Sequence, residues 1–138
     1  MFELKRSKII KEKVKVGEET LETELNLSEN SRKILELLRK LEVVQLGLSK
    51  QVDLEKNLKT LGEITVELTR MVFGNSFEKV LRFYTDDKSK VITVDNACVN
   101  EMITELLPFI LYLKPQIEKF VEEKEKAIKQ VIKGKRVE

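Results

Sequence analysis

The sequence predicts a mainly α protein: an N-terminal β-hairpin packed on a bundle of about four helices, the last long and proline-kinked. Two patterns carry this. Apolar and polar residues alternate with a period of two from Val14 to Leu27, and from Ile34 onward apolar residues recur every three or four positions. At 138 residues the chain has about the usual size of one domain, with no repeat or linker to divide it. A hairpin is expected over about 9–27, a helical core over about 29–120 and a charged helical arm over about 121–138.

In the hairpin Val14 and Val16, then Leu21, Thr23, Leu25 and Leu27, form the dry face. Gly17-Glu18-Glu19 supplies the turn. Folding about Glu18 and Glu19 sets Lys15 opposite Glu22, Lys13 opposite Glu24 and Val16 opposite Leu21. Ser28 is placed as an N-cap with Glu29 in the first helical turn, where the helix dipole favours a carboxylate. The first helix carries Ile34, Leu37, Leu38, Leu41, Val44 and Leu48 on one stripe and weakens at Gly47 and Ser49.

Asp53 is the expected cap of the second helix, whose stripe is Leu54, Leu58, Leu61, Ile64, Leu68, Met71 and Val72. That stripe reaches Phe73, stops at Gly74, and restarts in a short helix with Phe77, Val80, Leu81 and Tyr84, capped by Asn75 or Ser76. Gly74 is expected to be left-handed, the common way to close a helix. "TDDKSK" ends the short helix, and an extended run, "VITV", leads to Asp95 and the long final pattern from Val99 to Val131. Proline costs about 3 kcal/mol inside a helix, so Pro108 and Pro115 are expected to kink or divide it, with a bend near Leu107.

The chemistry-bearing residues are few. There is no His, which removes the commonest general base and metal ligand, and the single Cys98 has no disulfide partner within the chain. Cys98 is expected to be a small buried helix residue, compatible with a reducing cytoplasm. Asp86-Asp87 and Glu122-Glu123 sit in a turn and on a charged face rather than in a cleft, and the five glycines form no phosphate loop. No enzyme, cofactor or metal site is expected. "MFELKRSKII" lacks the apolar core of a secretory signal, and "LLPFILYL" is far short of the roughly 20 residues of a spanning helix. Net charge is +2 with Lys and Glu intermixed, which disfavours nucleic acid; a nucleic-acid module would have to use Lys5, Arg6, Lys8, Lys11 and Lys13.

With the helix ending at Phe73-Gly74, the short helix from Phe77 to Tyr84, the acidic turn at Asp86-Asp87 and the apolar "LLPFI" from Leu106 to Ile110, the segment from about Val52 to Val121 resembles the tail assembly chaperones of long-tailed phages and prophages of Gram-positive bacteria. The resemblance implies a non-enzymatic chaperone in the host cytoplasm, absent from the mature virion. It would bind the tape measure protein, and in some arrangements the major tail protein, during tail assembly. The alternative is a small bacterial helical adaptor. Candidate partner contacts are Val14 and Val16 on the hairpin, Tyr112, and Ile128, Val131 and Ile132 on the arm; Tyr84 belongs with Phe73, Gly74 and Phe77 to the motif-like structural positions and is an interface aromatic only if exposed. A homo-oligomer is also a candidate.

Overall fold

The computed structural model describes residues 8–86 and 91–134. The N-terminal part is β1 (Ile9–Ile10), β2 (Lys13–Val16), β3 (Glu19–Glu22) and β4 (Leu25–Asn26). β2 pairs antiparallel with β3, and β1 with β4, giving two ladders along one folded-back chain. Between them Thr23 takes over: its Oγ1 accepts from the Glu12 N–H at 2.8 Å and donates to the Ile10 carbonyl at 3.2 Å. The alternation of Leu21, Thr23, Leu25 and Leu27 is inward, as the period predicts.

The register is corrected by two residues: Lys13 faces Glu22, Val14 faces Leu21, and Val16 faces Glu19. The turn has only Gly17 and Glu18 at its centre, with a positive φ of 64° at Gly17, as hairpin turns with glycine first require. A shift of two leaves every side chain on its expected face, because the pleat repeats every two residues.

Helix α1 (Leu27–Ser49) begins earlier than expected, and its N-cap is Asn26, whose Oδ1 accepts from the Glu29 N–H at 3.2 Å. Ser28 instead accepts from the Lys8 N–H at 2.9 Å, tying the hairpin to the helix start. Helix α2 (Leu54–Phe73) follows Asp53, which stands at the N-cap position in a left-handed conformation and makes no capping bond. A single turn of 3₁₀ helix (Gly74–Ser76) leads into α3 (Phe77–Phe83), which has no side-chain cap. The run 91–93 is not a strand; a 3₁₀ turn (Val94–Asn96) precedes α4 (Val99–Ile132).

Among the described residues the bundle is three long helices, and α3, expected to be short, has only seven residues and is an appendage rather than a fourth member of the bundle. The expected division at Pro108 or Pro115 does not occur, since α4 runs through both. Both prolines lie on the exposed side, where the backbone groups they leave unpaired are open to solvent, while Met102, Leu106, Ile110, Leu113, Ile117 and Phe120 form an unbroken buried stripe. α2 lies at the centre, packed on both α1 and α4. Its stripe is buried only from Leu61 onward; Leu54 and Leu58 are exposed because α4 begins level with Gly62, where an added Cβ would stand 3.0 Å from Val99 Cγ1.

Candidate protein-docking surface

The break between α2 and α3 is a junction. Phe73 is fully buried and its ring lies 6.2 Å from that of Phe109 on α4. Gly74 has φ 53° and ψ −119°, a conformation open to glycine but strained for a residue with a Cβ. The hairpin docks there: the Glu24 N–H donates to the Val72 carbonyl at 3.0 Å, and Asn75 donates to Glu24 Oε2 at 3.2 Å. A Cβ on Gly74 would lie 3.3 Å from Glu24 Cβ and 3.4 Å from its carbonyl oxygen. At the other end of the hairpin, Phe83 covers Gly17 and Lys79 reaches Glu19 at 3.1 Å. α3 is thus the strut between hairpin and bundle.

Two candidate contacts are used up by this packing. Val16 and Tyr84 are buried, and Val14 is half-buried. Burial, reinforced by the Glu105 carboxylate, pushes the Tyr84 hydroxyl well above its ordinary pKa, which fits a structural phenol. Tyr112, Ile128, Val131 and Ile132 are exposed, with Tyr112 stacked on Phe109 at 6.3 Å.

Cys98 is not a buried helix residue but the half-buried N-cap of α4; its backbone N–H donates to the Tyr84 carbonyl at 2.7 Å. Its thiol donates to Asp86 Oδ2 at 3.1 Å, and that bond, with some desolvation, raises the thiol pKa. A raised pKa disfavours the thiolate that reactive cysteines need. Asp87, Lys5 and Arg6 lie outside the described residues, and among those described no group of three or more His, Cys, Asp or Glu side chains could hold a metal ion.

What the surface offers is apolar relief, of which Leu54, Leu58, Val99 and Ile103 belong to the stripes read from the sequence. Leu58, Gly62 and Val66 on α2, with Val94, Val99 and Ile103 opposite, line an open groove of about 780 Å³. Glu63, Glu67, Lys59 and Arg70 rim it, and Arg70 is held by Glu67 at 3.2 Å and by the Phe77 ring at 5.0 Å. Beyond Leu58, which is 55% exposed, the tip of the α1–α2 hairpin adds exposed Val43, Leu46, Val52 and Leu54. The helix stripes take in Leu54, Leu58, Val99 and Ile103, which the level at which α4 begins leaves open, but not Val43, Leu46, Val52, Val66 or Val94, which no stripe included. No helix is long and apolar enough to cross a membrane among the described residues. No protein-family model matches the chain, and no curated protein or solved structure matches it significantly.

Proposed function

We propose that the protein is a non-enzymatic escort for another protein chain, of the kind that phage tail assembly chaperones provide for a tape measure protein. The observation that supports this reading is the open α2–α4 groove, with Leu58 in its lining 55% exposed and Leu54 exposed one turn before it on the same face. Such a surface suits an amphipathic helix laid along it, with apolar anchors in the groove and charges at the rim. The Phe73-Gly74 junction, on which the resemblance also rests, keeps α2 and the hairpin in fixed relation and so holds one wall of the groove in place. Many modest contacts of this type permit later displacement, which an escort that leaves before completion of the tail requires.

The test is co-expression of the full chain with the tape measure protein encoded beside it, reading the soluble fraction of that protein. Leu58→Asp, on the exposed part of the groove, should lower the soluble fraction while the circular dichroism of the variant is unchanged. If the tape measure chain is equally soluble with the variant, or with no escort at all, this function is wrong. A soluble partner from an unrelated operon, captured through the same groove, would favour the adaptor reading.

A further inference from the structure

Glu42 of α1 meets Lys114 of α4 at 2.7 Å, while Ser31 and Arg32 lie across from Ile128, so the two helices run antiparallel. A cleft of about 450 Å³ opens between them. Its walls are two regular stripes at spacings of three and four: Arg32, Leu35 and Arg39 on α1, and Val121, Glu125 and Ile128 on α4. Leu35 and Val121 form a half-buried floor, and Ile128 is 56% exposed at the rim. Ser28 stands on the same face of α1, one turn before Arg32, and its hydroxyl accepts from the Lys8 N–H at 2.9 Å. The Lys8 ammonium lies 5.9 Å from the centre of the Phe120 ring, which Lys124 of the cleft wall also approaches, at 5.6 Å. The described chain therefore begins at the mouth of this cleft.

Residues 1–7 lie outside the described residues, but the structure fixes the direction from which they come. β1 pairs antiparallel with β4, and the Leu27 N–H donates to the Lys8 carbonyl at 2.8 Å, so toward lower residue numbers the chain runs the way β4 runs into α1. That direction leads along the Ser28, Arg32 and Leu35 face. Side-chain parity agrees: Ile10 is buried and Lys8 lies over Phe120, so even-numbered positions face the bundle, and Phe2 and Leu4 are even. Arg6 is even as well, and the cleft wall offers it Glu125. The lengths also fit. At about 3.3 Å per extended residue Leu4 reaches about 13 Å beyond Lys8 and Phe2 about 20 Å, whereas Leu35 and Arg39 lie about 10 Å and 16 Å beyond Ser28 at the helical rise. We infer that residues 1–7 lie along the α1–α4 cleft of their own chain as a strap, with Leu4 against Leu35 and Ile128 and Phe2 against Val121. The strap ties α4 beyond Phe120 to the start of α1, so that this part of the arm is held by the bundle. The contact goes beyond the escort role and does not depend on it.

The chain has no tryptophan, so Phe2→Trp in the full chain places a single fluorescent reporter on the strap. Its emission should lie at shorter wavelength in the folded protein than in urea and should stay there on dilution. Adding Val121→Asp should return it to the urea position while circular dichroism shows the variant folded. A cross-link gives a second arm in which folding is not at issue, because Ile128 and Leu58 are both exposed. In a Cys98→Ser background, Leu4→Cys with Ile128→Cys should form a disulfide within one chain under mild oxidation. Leu4→Cys with Leu58→Cys, near the far tip of the α1–α2 pair, should not. Reporter emission at the urea position in the folded protein overturns the inference, as does equal cross-linking at the two positions. A disulfide between two chains, with an emission shift that is lost on dilution, overturns it in favour of a strap seated on a second copy.

Discussion

Replacing Gly74 by alanine tests whether the junction between α2 and α3 is what locks the hairpin to the bundle. At φ 53° and ψ −119° the residue lies outside the regions that a Cβ tolerates, at a cost of about 1–3 kcal/mol. The added Cβ also approaches Glu24 at 3.3 Å and its carbonyl at 3.4 Å, tight enough that the hairpin must yield by a few tenths of an ångström. That movement strains the bond from the Glu24 N–H to Val72. The expected loss is therefore about 2–3 kcal/mol, close to the sum of backbone strain and part of one hydrogen bond. Urea unfolding followed by circular dichroism should show a lower midpoint with an unchanged slope, as expected when stability changes and the unfolded state does not. Gly74→Asn sharpens the test. Asparagine tolerates the ordinary left-handed helical region but not this ψ, so it should be no better than alanine. Gly134→Ala serves as a control, since Gly134 also has a positive φ of 71° but nothing within 4 Å; near the end of α4 its effect should be small. An unchanged midpoint for Gly74→Ala, or full rescue by asparagine, would refute the conformation and the docking argument built on it.

Phe73→Ala should cost about 3–5 kcal/mol by urea unfolding, because the ring is fully buried beside Phe109 and cannot be replaced by water. Thr23→Val keeps the shape but strands the Glu12 N–H and the Ile10 carbonyl, so a loss of about 1–3 kcal/mol is expected in the same assay. Cys98 should react with iodoacetamide more slowly in the folded protein than in urea at mildly alkaline pH, since its thiol pKa is raised, and Cys98→Ser should fold normally. Glu42 is held below its ordinary pKa by the hydrogen bond from Lys114, so its contribution is present above the ordinary carboxylate range and is lost as pH falls through the lowered value. As that carboxylate is exposed, Glu42→Gln should have a urea midpoint only slightly below wild type at neutral pH and equal to it in strong acid.

The sequence by itself determined the order of elements and the faces of nearly all of them. Periodicity suffices for that, because the pleat and the helix each repeat at short range: Thr23 is inward because Leu21 and Leu25 are, and Phe73 ends a stripe that begins at Leu61. The positive φ at Gly74 agrees with the expectation, but its ψ of −119° lies outside the left-handed helical region expected there, because the following 3₁₀ turn and the docked hairpin set the peptide plane. Tertiary structure decided the rest. The hairpin register slipped by two because face alternation is blind to shifts of that size, and the turn at Gly17-Glu18 selected among them. Pro108 and Pro115 did not divide α4 because their side of the helix faces water while the opposite stripe is held by α1 and α2. Leu58 left its expected place for a similar reason: it sits on an apolar stripe, and what covers a stripe is set by where a neighbouring element begins and ends. α4 starts too late to cover Leu58, and the return of the chain to Cys98 encloses Tyr84. The candidate docking groove exists through that same offset, which no local pattern in either helix records.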